Sequence, residues 1–561
     1  MPEMTGAQAI CETFKAEGVK HLFMLPGSTE IPFLDALATH PEIKVVGATH
    51  ESVALAMADG YARASKSPGI TLVHATPGTC YLMANLYNTK KIGVPLIMMA
   101  GESDSRITLN EPLLTANVAE MTRHFTKWSW RIGTAAEIPR AMRRAFKAAT
   151  TPPVGAVFLS IPQDLQAQQI DADIYPAQSY HIPMKIKPDP EQLQRAAELL
   201  AAAERPTIIT GSRTAYYGGV PQVAELAELV AARVYAELLP HSMNFPASHP
   251  LYMGALSYTE IEEVGRSSDV VLVVGCNVFD DVFYPEAAFG KDRGKVIHLD
   301  IDTWEIAKNH PLDVALVADI PSGLNELATE IKERLNKPRQ EAIRQRAESI
   351  KQSVAKTRAA FRDEFEKDAD VAPIRIWRLM REFMDALPPD CVVVDKAMGY
   401  RNYSTKIFSF PQPDTYYSTS GALAWATGAA LGVQLALPEK RVVSLGGDGE
   451  TMFGIQSLWT ACNYNIPVVN VVVNNKSYMS VKSRLLYYKG EAAKKGFLPG
   501  VDLEHVDFAK VAEGFGVRGY RVEKPGELKA TMKEALALNK PALIDVLVDT
   551  KDPGYRMPRI P

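Results

Sequence analysis

Asp448 and Asn475 are the side chains of this 561-residue chain whose types and setting most directly suit hard-metal chemistry. Asp448 stands in Gly446-Gly447-Asp448-Gly449, directly after the β-branched stretch Arg441–Leu445. Asn475 follows a second such stretch, Val468–Val473, in the pair Asn474-Asn475. A carboxylate and an amide carbonyl are both oxygen donors. Magnesium is held by one or two such groups together with the phosphate oxygens of a ligand. A backbone carbonyl near Ser477 is a third protein oxygen; two diphosphate oxygens and a water complete an octahedron. Gly447 and Gly449 let the backbone approach a ligand and turn N–H groups toward phosphate. A lone Gly-Asp-Gly is commonly a tight turn. Its pairing with Asn474-Asn475, each at the end of an apolar run, makes the pattern specific.

The two groups meet only if the elements around them form one βαβ unit. The spacing predicts a strand over 441–445, a helix from about Phe453 to Tyr464, and a parallel strand over 468–473. In such sheets, ligands bind beyond the carboxyl ends of the strands. Short β-branched runs alternate with Ala-rich helical stretches along the whole chain, the pattern of parallel α/β domains. Composition separates three blocks, and we assign three doubly wound parallel-sheet domains at 1–168, 190–335 and 371–550. A polar stretch from Gln168 to Gln192 reads as a linker between the first two. A charged stretch from Glu333 to Asp368 reads as a helix plus connector before the third. The first and third blocks look like variants of one plan, although α/β domains repeat such a unit in any case. In one, KVVGAT leads into the small-residue helix ESVALAMADGYARAS and then ITLVHA; in the other, TYYSTS leads into GALAWATGAALGVQLA and then RVVSLGG.

The remaining composition excludes several classes. Net charge is −4, from 61 basic and 65 acidic residues, which gives no electrostatic reason to expect nucleic acid or an anionic membrane. No apolar run approaches the ~18 residues of a membrane span, and the N-terminus has no secretory h-region. Cys11, Cys80, Cys276, Cys391 and Cys462 show no metal or redox spacing and read as reduced thiols of a cytoplasmic enzyme.

Together these stretches resemble the thiamine diphosphate-dependent 2-oxo acid decarboxylase and acetolactate synthase superfamily, and within it benzoylformate decarboxylases. The residues that carry the resemblance are LPGSTEIPFLDAL, HESVALAMADGYARAS, HATPGT, VPLIMMAG, GVQLALPEKRVVSLGGDG and SLWTACNYNIPVVNVVVNN. The middle block matches in pattern only. The resemblance implies a pyrimidine-binding first domain, a central Rossmann-like domain and a diphosphate-binding third domain. It implies thiamine diphosphate and Mg2+ as cofactors, with Asp448, Asn475 and Ser477 at the metal. Pro26, Gly27, Gly421, Leu423, Gly447, Gly449, Glu450 and Tyr478 are implied as cofactor contacts, Leu423 as the aliphatic prop under the bent cofactor. Glu51 falls where the family keeps the carboxylate that activates the pyrimidine ring of a cofactor bound by a partner subunit. A plainer reading has Glu51 complementing the dipole of its helix. His74 matches the active-site histidine that moves protons, and Ser28 the serine that contacts the substrate carboxylate. His50 is left as structural.

The chain also departs from the family. The segment GCNVFDDVFYP, with Val282 at the matching place, lacks the second catalytic histidine of benzoylformate decarboxylases. Their diphosphate-contacting Ser/Thr cluster aligns with DKAMGYRN, so Lys396 to Gly399 are expected to reach phosphate through backbone groups. The stretch after Asn475 is unusually basic. ITGSRTAYYGG in the middle block lacks the spacing of a dinucleotide fingerprint. The expected activity is non-oxidative decarboxylation of a 2-oxo acid through ylid and enamine forms of the cofactor. The alternative is a carboligase or carbon–carbon lyase of the acetolactate synthase or 2-hydroxyacyl-CoA lyase type, taking an aldehyde or acyl-CoA. The expected assembly is a homo-oligomer, a dimer of active-site dimers.

Overall fold

The computed structural model describes residues 3–180, 182–277, 293–366, 370–397, 400, 410 and 412–552. Three parallel sheets of six strands each organise them, with helices on both faces. Strands buried on both faces are largely apolar, which is why runs such as Ile70–Val73 and Val469–Val473 show no regular polar alternation, Thr71 and Asn470 being their single buried polar residues.

The first sheet comprises β1 (His21–Leu25), β2 (Lys44–Gly47), β3 (Gly69–Val73), β4 (Leu96–Glu102), β5 (Trp128–Arg131) and β6 (Val157–Pro162). The second comprises β7 (Pro206–Thr210), β8 (Arg233–Ala236), β9 (Tyr252–Ala255), β10 (Val270–Val274), β11 (Lys295–Asp300) and β12 (Val314–Val317). The third comprises β13 (Val392–Lys396), β14 (Tyr416–Ser418), β15 (Val442–Gly447), β16 (Val469–Asn474), β17 (Arg518–Val522) and β18 (Ala542–Leu547). The first sheet runs β2-β1-β3-β4-β6-β5 and the third β14-β13-β15-β16-β18-β17, so the two have the same topology. The shared plan seen in the sequence is therefore a repeat of the whole sheet. The middle sheet runs β9-β8-β7-β10-β11-β12, the order of doubly wound dinucleotide folds.

Two sequence expectations need correction. The helix expected from Phe453 to Tyr464 starts at the metal motif itself and is two pieces, Asp448–Gly454 and Ser457–Asn463. The linker is not wholly irregular, since Gln169–Asp171 pairs antiparallel with Glu3–Thr5 and ties the first domain's ends together. The charged stretch before the third domain does form a helix, Lys337–Glu366.

The first and third domains meet through equivalent helices of the repeat, α1 (Glu51–Ser65) and α3 (Ala426–Ala436). Their backbones touch. A Cβ on Gly60 would stand 2.2 Å from the carbonyl oxygen of Ala429, and one on Gly432 1.9 Å from that of Met57. Only small residues permit this, which explains the Ala/Gly density of both segments.

A buried polar network locks the seam. Asp59 accepts from the Trp425 indole N–H at 3.0 Å and from the Thr89 hydroxyl at 2.8 Å. Arg63 donates to the carbonyl of Ser418 at 3.0 Å and to that of His241, so one guanidinium joins all three domains. It also lies over the rings of Tyr417 and Trp425. Asp59 and Arg63 are 1% and 3% exposed. Removing one partner strands the other's buried charge, so Arg63→Met should cost about 3–5 kcal/mol. A thermal midpoint equal to wild type would show that the network contributes nothing.

Candidate active site

Asp448 begins the helix after β15, and Asn475 follows β16, the neighbouring parallel strand. The βαβ unit thus brings them to one sheet edge. The Ser477 N–H is shared between them, donating to Asp448 Oδ2 at 3.1 Å and to Asn475 Oδ1 at 3.0 Å. The amide of Asn475 is oriented from behind, its Nδ2 donating to the Tyr400 hydroxyl. The two side-chain oxygens therefore lie side by side around the Ser477 N–H. Asp448 is buried, and desolvation pushes its carboxyl up to about 6 against the backbone N–H groups that stabilise its charge. Among the described residues no lysine or arginine pairs with it. A Cβ on Gly447 would meet open space, and one on Gly449 would lie 2.5 Å from the Tyr478 ring. A backbone cradle with Tyr478 along its wall results.

The loop that carries Gly421 and Leu423 runs from β14 to α3. Gly421 is exposed and Leu423 half-buried. Ala424 has φ +69°, strained for a residue with a Cβ. The carboxylate of Glu450 is turned inward behind this loop. It accepts from the N–H groups of Ala424, Trp425 and Ala426 at 3.1, 2.8 and 2.9 Å.

On the first sheet, β1 ends in Pro26-Gly27-Ser28 and β3 in His74, which precedes α2 (Ala75–Ile92). The two meet through a residue that motif reading missed, Glu30, which is 1% exposed. Its carboxylate accepts from Gly27 N at 2.7 Å, Gly101 N at 2.8 Å, Thr29 Oγ1 at 2.7 Å and His74 Nδ1 at 2.9 Å. A carboxylate facing Nδ1 puts the proton there and leaves Nε2 as the nitrogen that exchanges protons. Gly27 lies against the imidazole, with room for no Cβ: one would be 2.3 Å from the ring. Ser28 is exposed beside them. The signal for Glu30 was its place in LPGSTE, just after the residues singled out.

Glu51 opens α1 and is 8% exposed, and its carboxylate has no hydrogen-bond partner among the described residues. Its neighbour His50 caps the helix, Nδ1 accepting from Ser52 N at 3.1 Å, which is the structural role expected of it. Among the described residues neither Glu51 nor His74 hydrogen-bonds to Asp448 or Asn475 within the chain. Val282, Met398 and Gly399 lie outside the described residues.

Three family models match the chain in order: the N-terminal TPP binding domain of thiamine pyrophosphate enzymes over 4–125, their central domain over 193–327 and their C-terminal TPP binding domain over 399–546. The chain is a thiamine pyrophosphate enzyme. It is 29% identical to a probable acetolactate synthase large subunit of Methanocaldococcus jannaschii, over 100% of this chain and 94% of that one. It is 27% identical to a benzoylformate decarboxylase of Pseudomonas aeruginosa, over 97% and 98%. Its structure is similar to a thiamine diphosphate-dependent 4-hydroxybenzoylformate decarboxylase of Rhodococcus jostii, with a TM-score of 0.86, 26% identity and coverage of 98% and 100%. The resemblance read from the sequence holds at the level of the decarboxylase and acetolactate synthase family.

The cofactor of this thiamine pyrophosphate enzyme is thiamine diphosphate, with Mg2+ the usual partner metal of the family. The residues present fit both groups. A desolvated carboxylate without a cationic partner among the described residues, a neighbouring amide oxygen and a glycine turn suit a hard cation together with phosphate. Among the described residues no three His, Cys, Asp or Glu side chains are grouped to hold a metal ion.

Proposed function

We propose that this enzyme is a Mg2+-dependent, non-oxidative decarboxylase of a 2-oxo acid, of the benzoylformate decarboxylase kind, releasing carbon dioxide and an aldehyde. The observation that carries the reading is the Gly27–Glu30–His74 cluster beside Ser28. It fixes an imidazole of defined tautomer next to an exposed hydroxyl, at the carboxyl edge of the first sheet.

Asp448, Asn475 and the Ser477 backbone would hold the metal, and through it the diphosphate, with the N–H groups of Gly447 and Gly449 and the ring of Tyr478 alongside. Gly421 and Leu423 would face the rings, with Pro26 and Gly27 closing the other side. Glu450 acts from behind the loop. When bound, thiamine diphosphate supplies the nucleophilic carbon and the electron sink that carbon–carbon cleavage beside a carbonyl requires. Glu51 supplies a negative charge to the pyrimidine ring. Ser28 binds the substrate carboxylate. His74 Nε2 carries protons to and from the reacting carbon's oxygen, and Glu30 keeps Nδ1 protonated while it does so.

The resemblance to the family supports a site shared between chains, in a homodimer or a dimer of dimers. The five cysteines are all free thiols, in keeping with a cytoplasmic enzyme. The domain extents we propose are 1–168, 190–335 and 371–550.

Similarity to an acetolactate synthase at 29% identity favours a second reading, a carboligase that passes the same carbon fragment to an acceptor. The test is a screen by mass spectrometry with thiamine diphosphate and Mg2+, each 2-oxo acid alone and then with added aldehyde or acyl-CoA. An aldehyde from a 2-oxo acid alone is expected. Products that appear only with acceptor would replace decarboxylation with ligation.

A further inference from the structure

The residue at the end of β13 is Lys396, and it is 2% exposed. It pairs in register with Gly446 of the metal motif, so it lies one strand away from Asp448's turn. A lysine there was expected to face phosphate with its backbone. Its side chain does something else. Nζ donates to the carbonyl of Thr419 at 3.2 Å and to that of Gly421 at 3.1 Å.

The same loop is held at its other end by a buried opposite charge. Glu450 takes the three N–H groups at 424–426, the opening turn of α3, where the helix dipole favours an anion. Between the two clamps, Asn88 binds both backbone groups of Ala422, accepting from its N–H at 2.8 Å and donating to its carbonyl at 3.2 Å. Asn85 donates to the carbonyl of Ala424 at 3.2 Å. Eight backbone polar groups between Thr419 and Ala426 are bound by the buried side chains of Lys396, Asn85, Asn88 and Glu450. Strained backbone such as Ala424 persists only where its surroundings over-determine it.

We infer that Lys396 and Glu450 are a coupled pair of positioning residues that set the ring side of the cofactor site by fixing the loop 419–426. Both act on this loop, Lys396 through two carbonyls and Glu450 through three N–H groups. Lys396 fixes the carbonyl of Gly421 and Glu450 fixes the turn after Leu423, so together they determine where that glycine and that aliphatic side chain stand. The inference rests on the reading of Gly421 and Leu423 as ring contacts. The pair is matched in charge because an unpaired ion at either place would be buried without compensation.

The test separates the two ends of the cofactor. Calorimetry compares binding of thiamine diphosphate with binding of inorganic pyrophosphate, each with Mg2+, to the full-length protein. Lys396→Met should weaken thiamine diphosphate by about 10–100-fold, the usual cost of losing a group that orients a ligand contact. Pyrophosphate should bind as in wild type, because Asp448, Asn475 and the glycine turn are untouched. Should the single variant not fold, Lys396→Met/Glu450→Gln removes both charges together and carries the same comparison. Equal losses of both ligands would assign Lys396 to the diphosphate end or to the domain at large and overturn the inference. Unchanged affinity for both would do so too. Leu423→Ala tests the underlying reading alone and should lose ring affinity. Wild-type affinity in that variant overturns the ring-side reading, whereas impaired Leu423→Ala with unimpaired Lys396→Met overturns only the role of the lysine.

Discussion

Glu51→Gln should leave thiamine diphosphate and Mg2+ binding nearly unchanged and slow exchange of the cofactor's thiazolium C–H with deuterated water by on the order of 10²–10⁴-fold, the span of ordinary acid–base catalysis. The substitution keeps the shape and the hydrogen-bonding capacity of the side chain and removes its charge. Glu51 is buried at the start of α1, and its carboxylate is uncommitted to any other group among the described residues. A structural carboxylate at a helix start is normally bonded to N–H groups of the first turn, and here that capping is done by His50. The charge is thus left for a ligand. Turnover on every substrate should fall in parallel, because all chemistry of this cofactor begins with loss of that proton. The measurement is proton exchange followed by NMR on the loaded enzyme. Wild-type exchange in a folded, cofactor-loaded Glu51→Gln protein would assign activation to another residue.

Asp448→Ala should abolish detectable thiamine diphosphate binding while the fold survives. The carboxylate contributes no ion pair to the protein among the described residues, and its backbone donors, Gly449 N and Ser477 N, sit beside the cradle where water replaces the lost acceptor. Its removal therefore costs the metal site more than the domain. The melting temperature of the cofactor-free variant should match that of cofactor-free wild type. The rise in melting temperature on adding thiamine diphosphate and Mg2+, which follows from binding to the native state alone, should vanish. A preserved rise would place the metal elsewhere.

Much of the site was legible because its residues sit at the ends of apolar runs. Asp448, Asn475 and His74 each follow a strand, and a parallel sheet delivers strand ends to one edge whatever else the chain does. The helix through 448–464 was misjudged because Asp448 and Gly449 read as turn residues, while tertiary packing let helix start at the aspartate itself. Glu30, Asn85, Asn88 and the inward turn of Glu450 were not legible. Each acts by a contact across long sequence separation or by the direction of a side chain, and neither quantity leaves a periodic trace. Lys396 illustrates the limit best. Its position in the motif was found, yet whether a buried lysine turns toward phosphate or toward two carbonyls depends on the loop opposite, more than twenty residues away.

The seam between α1 and α3 bears on how the molecule comes apart. A single apolar core runs through it, from Phe23 and Val46 of the first domain to Val392, Trp425 and Val468 of the third, with the buried Asp59 and Arg63 network set into it. Units far apart along the chain are thereby one cooperative body in space, and the middle domain is an insertion spliced between its halves. A cut in the long connector helix would nick the polypeptide without parting those halves, and the two fragments would remain a non-covalent heterodimer. Release of either half alone would uncover the shared interior, so the outer domains should be expressed, unfolded and recovered as a pair.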